Sequence, residues 1–415
     1  MSTELDTVPE SPPGARGYAL RADRVFDGER LHGPATVVVE GGRIAGVHPG
    51  ESPLRPDLAT VDCGPDTTLL PGLIDTHVHL VFDATPDAAA NVQRVGDEEL
   101  IEQMRVRAQA MLAAGITTAR DLGDRRYLTL ALRGELASAP AAGPQLLCAG
   151  PPITTVRGHC WFLGGEVPAG ADLRAVVAER AARGVDAVKV MVTGGQLTPG
   201  SHGGLVQFHS QALDALVTEA HRHGLPVAAH AHARAGIADA LAARVDSIEH
   251  CSFMTEDDVV PDDDLIRAIA AAGIVVSLTL GFAPTDQPMP PDFAARVPKL
   301  MDLVRRIVVS GATVTIGSDA GIAPVKPHDV LPLAVVQLAG ICGDAAAALA
   351  AVTSVAARSC GVPDCKGRLA PGYDADFVVV RGDPVADIAT VRDPVAVYRA
   401  GELVAGGHPA QGELR

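Results

Sequence analysis

The stretch "LLPGLIDTHVHL", residues 69–80, closes an apolar run on two histidines one residue apart, His77 and His79. Side chains at i and i+2 of a strand point to one side, so the two imidazoles converge on one point in space. Converging imidazoles are ligands for Zn2+ or a similar divalent ion. Residues of the same chemical kind recur in other apolar runs: Lys189 in "DAVKVMVTGG", His230 and His232 in "PVAAHAH", His250 in "SIEHC" and Asp319 in "GSDAG". His77, His79, His230, His250 and Asp319 are more than one tetrahedral site needs. The surplus points either to two metals or to one metal with spare groups for acid–base work.

Lys189 is the odd member of the set. A bare ammonium between Val188 and Val190 would be costly inside a strand. Either it reaches out to water or a carboxylate, or its amine reacts with CO2 to give a carbamate, an anionic oxygen ligand that could bridge two cations. His159, in "RGHCWFLGG", falls in the loop after the third run, where substrate-facing residues belong. Trp161 and Phe162 beside it would grip an apolar or aromatic acyl group. His232 shares a face with His230 and reads as a substrate contact or as a group supporting the ligands. Arg120 and Asp121, ending the second run, read as a buried ion pair that props the site.

These residues need elements to position them. Eight β-branched apolar runs ("LLPGLIDTHVHL", "ITTARDLG", "QLLCAG", "AVKVMVT", "PVAAHAH", "DSIEHC", "IVVSLTL", "TVTIGSD") alternate with Ala-rich stretches of helical period, several closed by Gly. Eight such units predict an α/β chain folded as a (β/α)8 TIM barrel over residues 69–359, with catalytic groups at the C-terminal strand ends. A doubly wound open sheet competes, but no G-x-G-x-x-G follows the first run. Residues 17–68 and 360–415 are short, alternating and turn-rich, and predict one small composite β-sandwich domain built from both termini. Residues 1–16 are acidic and Pro-rich and read as a disordered tail, unlike a signal peptide.

The 415 residues, 47% hydrophobic, can bury a large core. A net charge of -16 would repel phosphate backbones and anionic lipid surfaces, which argues against nucleic-acid and membrane partners. No apolar run approaches the ~20 residues that span a bilayer. Seven scattered cysteines with no C-x-x-C pair read as reduced, mostly buried thiols. The expectation is a cytoplasmic enzyme acting on a small molecule, assembled as a homo-oligomer.

The combined pattern, "PGLIDTHVHL", a Lys in the fourth run, His in the fifth and sixth and "SDAG" in the eighth, resembles the amidohydrolase superfamily. Within it, "TTARDLG", "RGHC", "VKVMVTGG", "AAHAHARAGIADAL" and "VDSIEHC" resemble the imidazolonepropionase-like and Xaa-Pro dipeptidase group that includes ochratoxinase-like amidases. The resemblance covers nearly the whole chain. It implies two divalent metals, with zinc the expected ion. His77, His79 and Asp319 would hold the more buried one, His230 and His250 the outer one, and a carboxylated Lys189 would bridge them. It also implies that Asp319 is the base that takes a proton from the activated hydroxide and passes it to the leaving group. His159 and His250 join Asp319 as expected catalytic groups. Dipeptide-cleaving members of the group use a Tyr after the fourth strand to hold the substrate carboxylate. The stretch "GGQLTPGSHGGLVQFHS" has none, and leaves His202, Gln207 and His209 as its polar candidates.

The resulting expectation is a binuclear amidohydrolase cleaving an amide or peptide-like C–N bond of a small molecule: an N-acyl amino acid, a dipeptide or a related amide. A mononuclear ring hydrolase or deaminase of the imidazolonepropionase type is the alternative, and it would not need Lys189. A non-catalytic scaffold relative would have lost ligands, whereas all six positions are filled.

Overall fold

The run at residues 69–80 splits at Gly72. Thr67–Pro71 joins a sheet formed by the chain ends, and Leu73–Val78 begins a separate series of parallel strands. A Cβ on Gly72 would lie 2.0 Å from Thr117 Oγ1, so the chain passes here only without a side chain. The computed structural model describes residues 17–50, 55–56, 58–285 and 291–407. The expected tail, residues 1–16, lies outside the described residues, as do 408–415 of the C-terminal segment.

The parallel strands are β1 (Leu73–Val78), β2 (Ile116–Asp121), β3 (Gln145–Cys148), β4 (Val188–Met191), β5 (Val227–Ala231), β6 (Ser247–His250), β7 (Val275–Thr279) and β8 (Val314–Gly317). Strands β1 to β3 form one parallel sheet and β4 to β8 another, each in chain order. The sheets are bridged at both margins. Ile153, just past β3, pairs in parallel with Val190 of β4, and Val78 of β1 pairs with Ala320, just past β8. Most residues of these strands are buried on both faces, which is why the runs are continuously apolar rather than alternating.

Amphipathic helices separate the strands. Asp97–Ala113 buries Leu100, Met104, Ala108 and Met111 at intervals of three to four residues. Asp263–Ala272 starts on Asp262, whose carboxylate accepts from Leu265 N, and stops at Gly273 with φ 71°.

The chain ends build two further sheets. Arg43–Pro49, Ala35–Glu40, Tyr18–Ala22 and Ala59–Asp62 form one; Glu402–Gly406, Ala396–Arg399, Phe377–Arg381, Thr67–Pro71, Arg24–Phe26 and Leu31–His32 form the other. Leu20, Val37 and Ile44 of the first sheet share an apolar cluster with Leu69, Phe377 and Tyr398 of the second. Two pairings are parallel: Tyr18–Ala22 with Ala59–Asp62, and Arg24–Phe26 with Thr67–Pro71. Among the described residues no helix is long and apolar enough to cross a membrane. All seven cysteines are unpaired thiols, and five are buried.

Candidate metal centre

β1 delivers His77 and His79 into the interior. Their Nε2 atoms face each other at 3.2 Å, and Asp319 Oδ1 stands 3.6 Å from the first and 3.4 Å from the second. Gly317 of β8 lets His77 come so close, since a Cβ there would lie 2.4 Å from His77 Cβ. Asp319 follows β8 with φ 56°, a left-handed conformation that Asp tolerates better than most residues. That turn aims its carboxylate at the histidine pair.

His230 is the penultimate residue of β5, His232 follows the strand, and His250 ends β6 with φ 68°. The ring centroids of His230 and His250 are 4.5 Å apart, and those of His232 and His250 are 4.6 Å apart. Two groups of side chains can therefore hold a metal ion, His77–His79–Asp319 and His230–His232–His250, each with its ligand atoms within 4.8 Å of one another. His232, read from the sequence as a substrate contact or a supporting group, stands inside the second group. Lys189 lies beside the first, its Nζ 3.3 Å from His77 Nε2.

The electrostatics favour the unprotonated form at His77, His230 and His250, but not at His79. Burial lowers His77 to about 4 and, together with the neighbouring imidazoles, holds His230 and His250 well below the ordinary histidine value. At His79 burial pulls the same way, but the hydrogen bond and charge of Asp319 outweigh it and raise the value. Burial opposes ionisation of Asp319 too, yet the two histidines win and hold it an anion. Burial brings Lys189 down to about 8, so part of it is a free amine near neutrality. Three imidazoles held neutral, a fourth paired with a carboxylate, and a reactive amine fit a divalent cation site, which would displace the proton from His79.

Glu249 was not among the residues read from the sequence. It precedes His250 on β6, fully buried, with Oε2 2.9 Å from His77 Nδ1 and Oε1 3.2 Å from Arg120 Nη2. The expected Arg120–Asp121 pair does not form. Neighbours on a strand point to opposite sides, so Arg120 reaches Glu249 and Thr76 O, while Asp121 accepts from Leu80 N and Gly123 N. An acid one residue before a ligand histidine was the available signal for Glu249.

The cavity over the histidines brings in His159, whose ring is 4.8 Å from that of His230. A Cβ on Gly195 would lie 2.5 Å from His159 Nε2, so the glycines of "TGGQ" let the loop after β4 close onto this ring. Burial lowers His159 to about 3, and among the described residues its Nδ1 has no hydrogen-bond partner. The other loop candidates lie outside the lining. Gln207 spends its amide on the loop itself, accepting from His159 N and donating to Met191 O and Thr193 O. His209 is exposed, 3.4 Å from Asp239, and His202 gives the cavity only its neighbour Gly203. Trp161 stands outside under the Arg157 guanidinium, and Phe162 packs on Phe82 behind His79.

The apolar wall comes from elsewhere: Leu278, Leu280 and Phe282 at the end of β7, and Phe293, Leu300, Met301, Val304 and Ile307 of the helix Pro291–Val309. The helical spacing of these residues is legible in "DFAARVPKLMDLVRRIVV". Pro298, inside it, obscures the pattern.

The chain is similar to known proteins over most of its length. The ochratoxinase of Aspergillus niger is 26% identical over 378 residues, covering 81% of this chain and 76% of that protein. The imidazolonepropionase of Cupriavidus pinatubonensis is 29% identical and covers 92% of each chain. The crystal structure of a Xaa-Pro dipeptidase with bound methionine in the active site superposes with a TM-score of 0.81 at 26% identity, covering 93% of this chain and 99% of that one. The amidohydrolase family model matches residues 68–404. With its strand-end histidines and a match over most of its length, the chain belongs to the amidohydrolase family, hydrolases that act on C–N bonds.

Proposed function

We propose that the chain is a binuclear metal-dependent amidohydrolase that cleaves an amide or peptide-like C–N bond of a small molecule with an apolar acyl portion, such as an N-acyl amino acid. The observation that carries it is the position of Lys189, 3.3 Å from His77 Nε2 with two histidine groups nearby. His77, His79 and Asp319 would hold one ion, and His230 and His250, with His232 adjoining, the other. Lys189 as a carbamate would bridge them. Two divalent ions would polarise the scissile carbonyl and lower the pKa of the attacking water towards ~7.

The chain's own residues do the rest. Asp319, anionic and aimed into the cavity, takes a proton from the attacking water and hands it to the leaving nitrogen. His159, neutral and with Nδ1 free, donates to the carbonyl oxygen as negative charge develops there. Glu249 and Arg120 hold the His77 ring in place from behind. The apolar wall orients the acyl group. In the same reading the eight parallel strands close as a (β/α)8 barrel, and residues 17–68 with 360–415 make a composite β-sandwich domain.

The test is metal content per chain after reconstitution with zinc and bicarbonate, together with hydrolysis of N-acyl amino acids and Xaa-Pro dipeptides. Close to two ions per chain and faster cleavage of N-acyl amino acids are expected. One ion with ring-opening or deaminating activity would favour the mononuclear alternative.

A further inference from the structure

Lys326 stands in the loop after β8 and lines the cavity, yet it takes no part in the reading above. It is 3% exposed. Its Nζ donates to Thr279 O at 3.1 Å and Leu280 O at 2.9 Å, and it sits 3.9 Å over the Phe282 ring. An ammonium has three donors, so one is left over. Among the described residues no carboxylate is within ion-pairing distance of it. Among the described residues Asp319 is the only carboxylate lining the cavity, and it is engaged with His77 and His79. Asp319 and Asp75 attract the ammonium only from beyond contact distance, so burial is offset in part, and an anion that entered the cavity and took the remaining donor would relieve the rest.

The location says where that anion would lie. Thr279, whose carbonyl accepts from Lys326, bonds through its hydroxyl to His250 Nδ1 at 3.0 Å, so the ammonium is one residue removed from the histidine cluster. Phe282 and the two carbonyls fix its direction, and Leu280 and Phe282 begin the apolar wall. We propose that Lys326 binds a carboxylate of the substrate and thereby selects amides that carry a free carboxylate next to an apolar group. This rests on the amidohydrolase reading for the amide, and on Lys326 alone for the anion. It supplies from the loop after β8 the carboxylate contact that Gln207, His202 and His209 do not make.

The probes are N-(2-naphthoyl)-L-phenylalanine and its C-terminal carboxamide, given to the metal-loaded protein. Binding is read by naphthoyl fluorescence and, where cleavage occurs, kcat/KM is measured as well. Wild-type protein should favour the acid by roughly 10- to 100-fold, the scale of a charge-assisted contact in a buried site. Lys326→Met should bring the acid-to-carboxamide ratio near one, with the loss in KM, and Lys326→Arg should keep part of the preference. Equal binding of the two probes by wild-type protein, or binding of neither at millimolar concentration, overturns the proposal without any variant. So does a Lys326→Met protein that weakens on both probes alike, which marks a bracing role for the loop. If the acid preference holds and depends on Lys326 while neither probe is cleaved, the anion site stands and the hydrolytic reading is what fails.

Discussion

Glu249 Oε2 lies 2.9 Å from His77 Nδ1, while the other oxygen of the same carboxylate lies 3.2 Å from Arg120 Nη2. One fully buried acid therefore orients the candidate ligand His77 and neutralises a guanidinium. Glu249→Gln should keep the fold and weaken metal affinity by ~10- to 100-fold, as loss of an outer-shell partner does. Competition with a graded series of chelators measures it. Both variants remove the counter-charge of Arg120, but Glu249→Ala also removes the acceptor that Gln keeps, and should cost ~3–5 kcal/mol in denaturant unfolding, more than Glu249→Gln.

Lys189→Ala should remove at least one of two ions per chain, read by elemental analysis after reconstitution. A wild-type protein that binds a single ion would sink the binuclear assignment.

Asp319→Asn should retain much of the metal, because an amide oxygen still coordinates weakly. Turnover should fall ~10²- to 10⁴-fold, because the amide accepts no proton. Near-full activity in this variant would reduce Asp319 to a ligand only.

Leu300 faces the cavity from the helix Pro291–Val309 and is only partly buried, so its truncation leaves the core intact. Leu300→Ala should cost ~1–2 kcal/mol of apolar contact, roughly tenfold in kcat/KM, with N-aroyl substrates and little with N-acetyl ones. Equal losses on both would remove this helix from the acyl pocket.

Burial brings Lys326 from 10.5 down to about 8. Between those values the unfolded chain binds more protons than the folded one, so stability rises with pH across that window. Below pH 8 the destabilising contribution is constant. Relative to Lys326→Met, metal-free wild-type protein should gain on the order of 3 kcal/mol between pH 8 and 10.5, the fall in pKa at ~1.36 kcal/mol per unit. Parallel pH profiles of the two proteins in urea unfolding would contradict it.

The sequence by itself determined the eight apolar runs, the helices between them and the strand-end histidines, because strand and helix periods are local and the ligand types are few. It also showed that residues 17–68 and 360 onward are alike in style, and the pairing of Thr67–Pro71 with Phe377–Arg381 brings those ends into one sheet.

Only the tertiary structure decided which side chains meet. Glu249 and Lys326 each sit in ordinary-looking text, "SIEHC" and "APVKPHD", and their meaning depends on what lies across the cavity. Left-handed backbone at His250 and Asp319 swings both off the regular alternation, which no two-residue period foretells. Gln207, His202 and His209 share a loop that is polar in sequence, but hydrogen bonds within the fold consume the first, His209 turns out to Asp239, and His202 stands outside the lining. Period and composition are properties of neighbours along the chain. The counter-charge of a buried group is set by residues far away in sequence, and folding alone brings them within 3 to 4 Å.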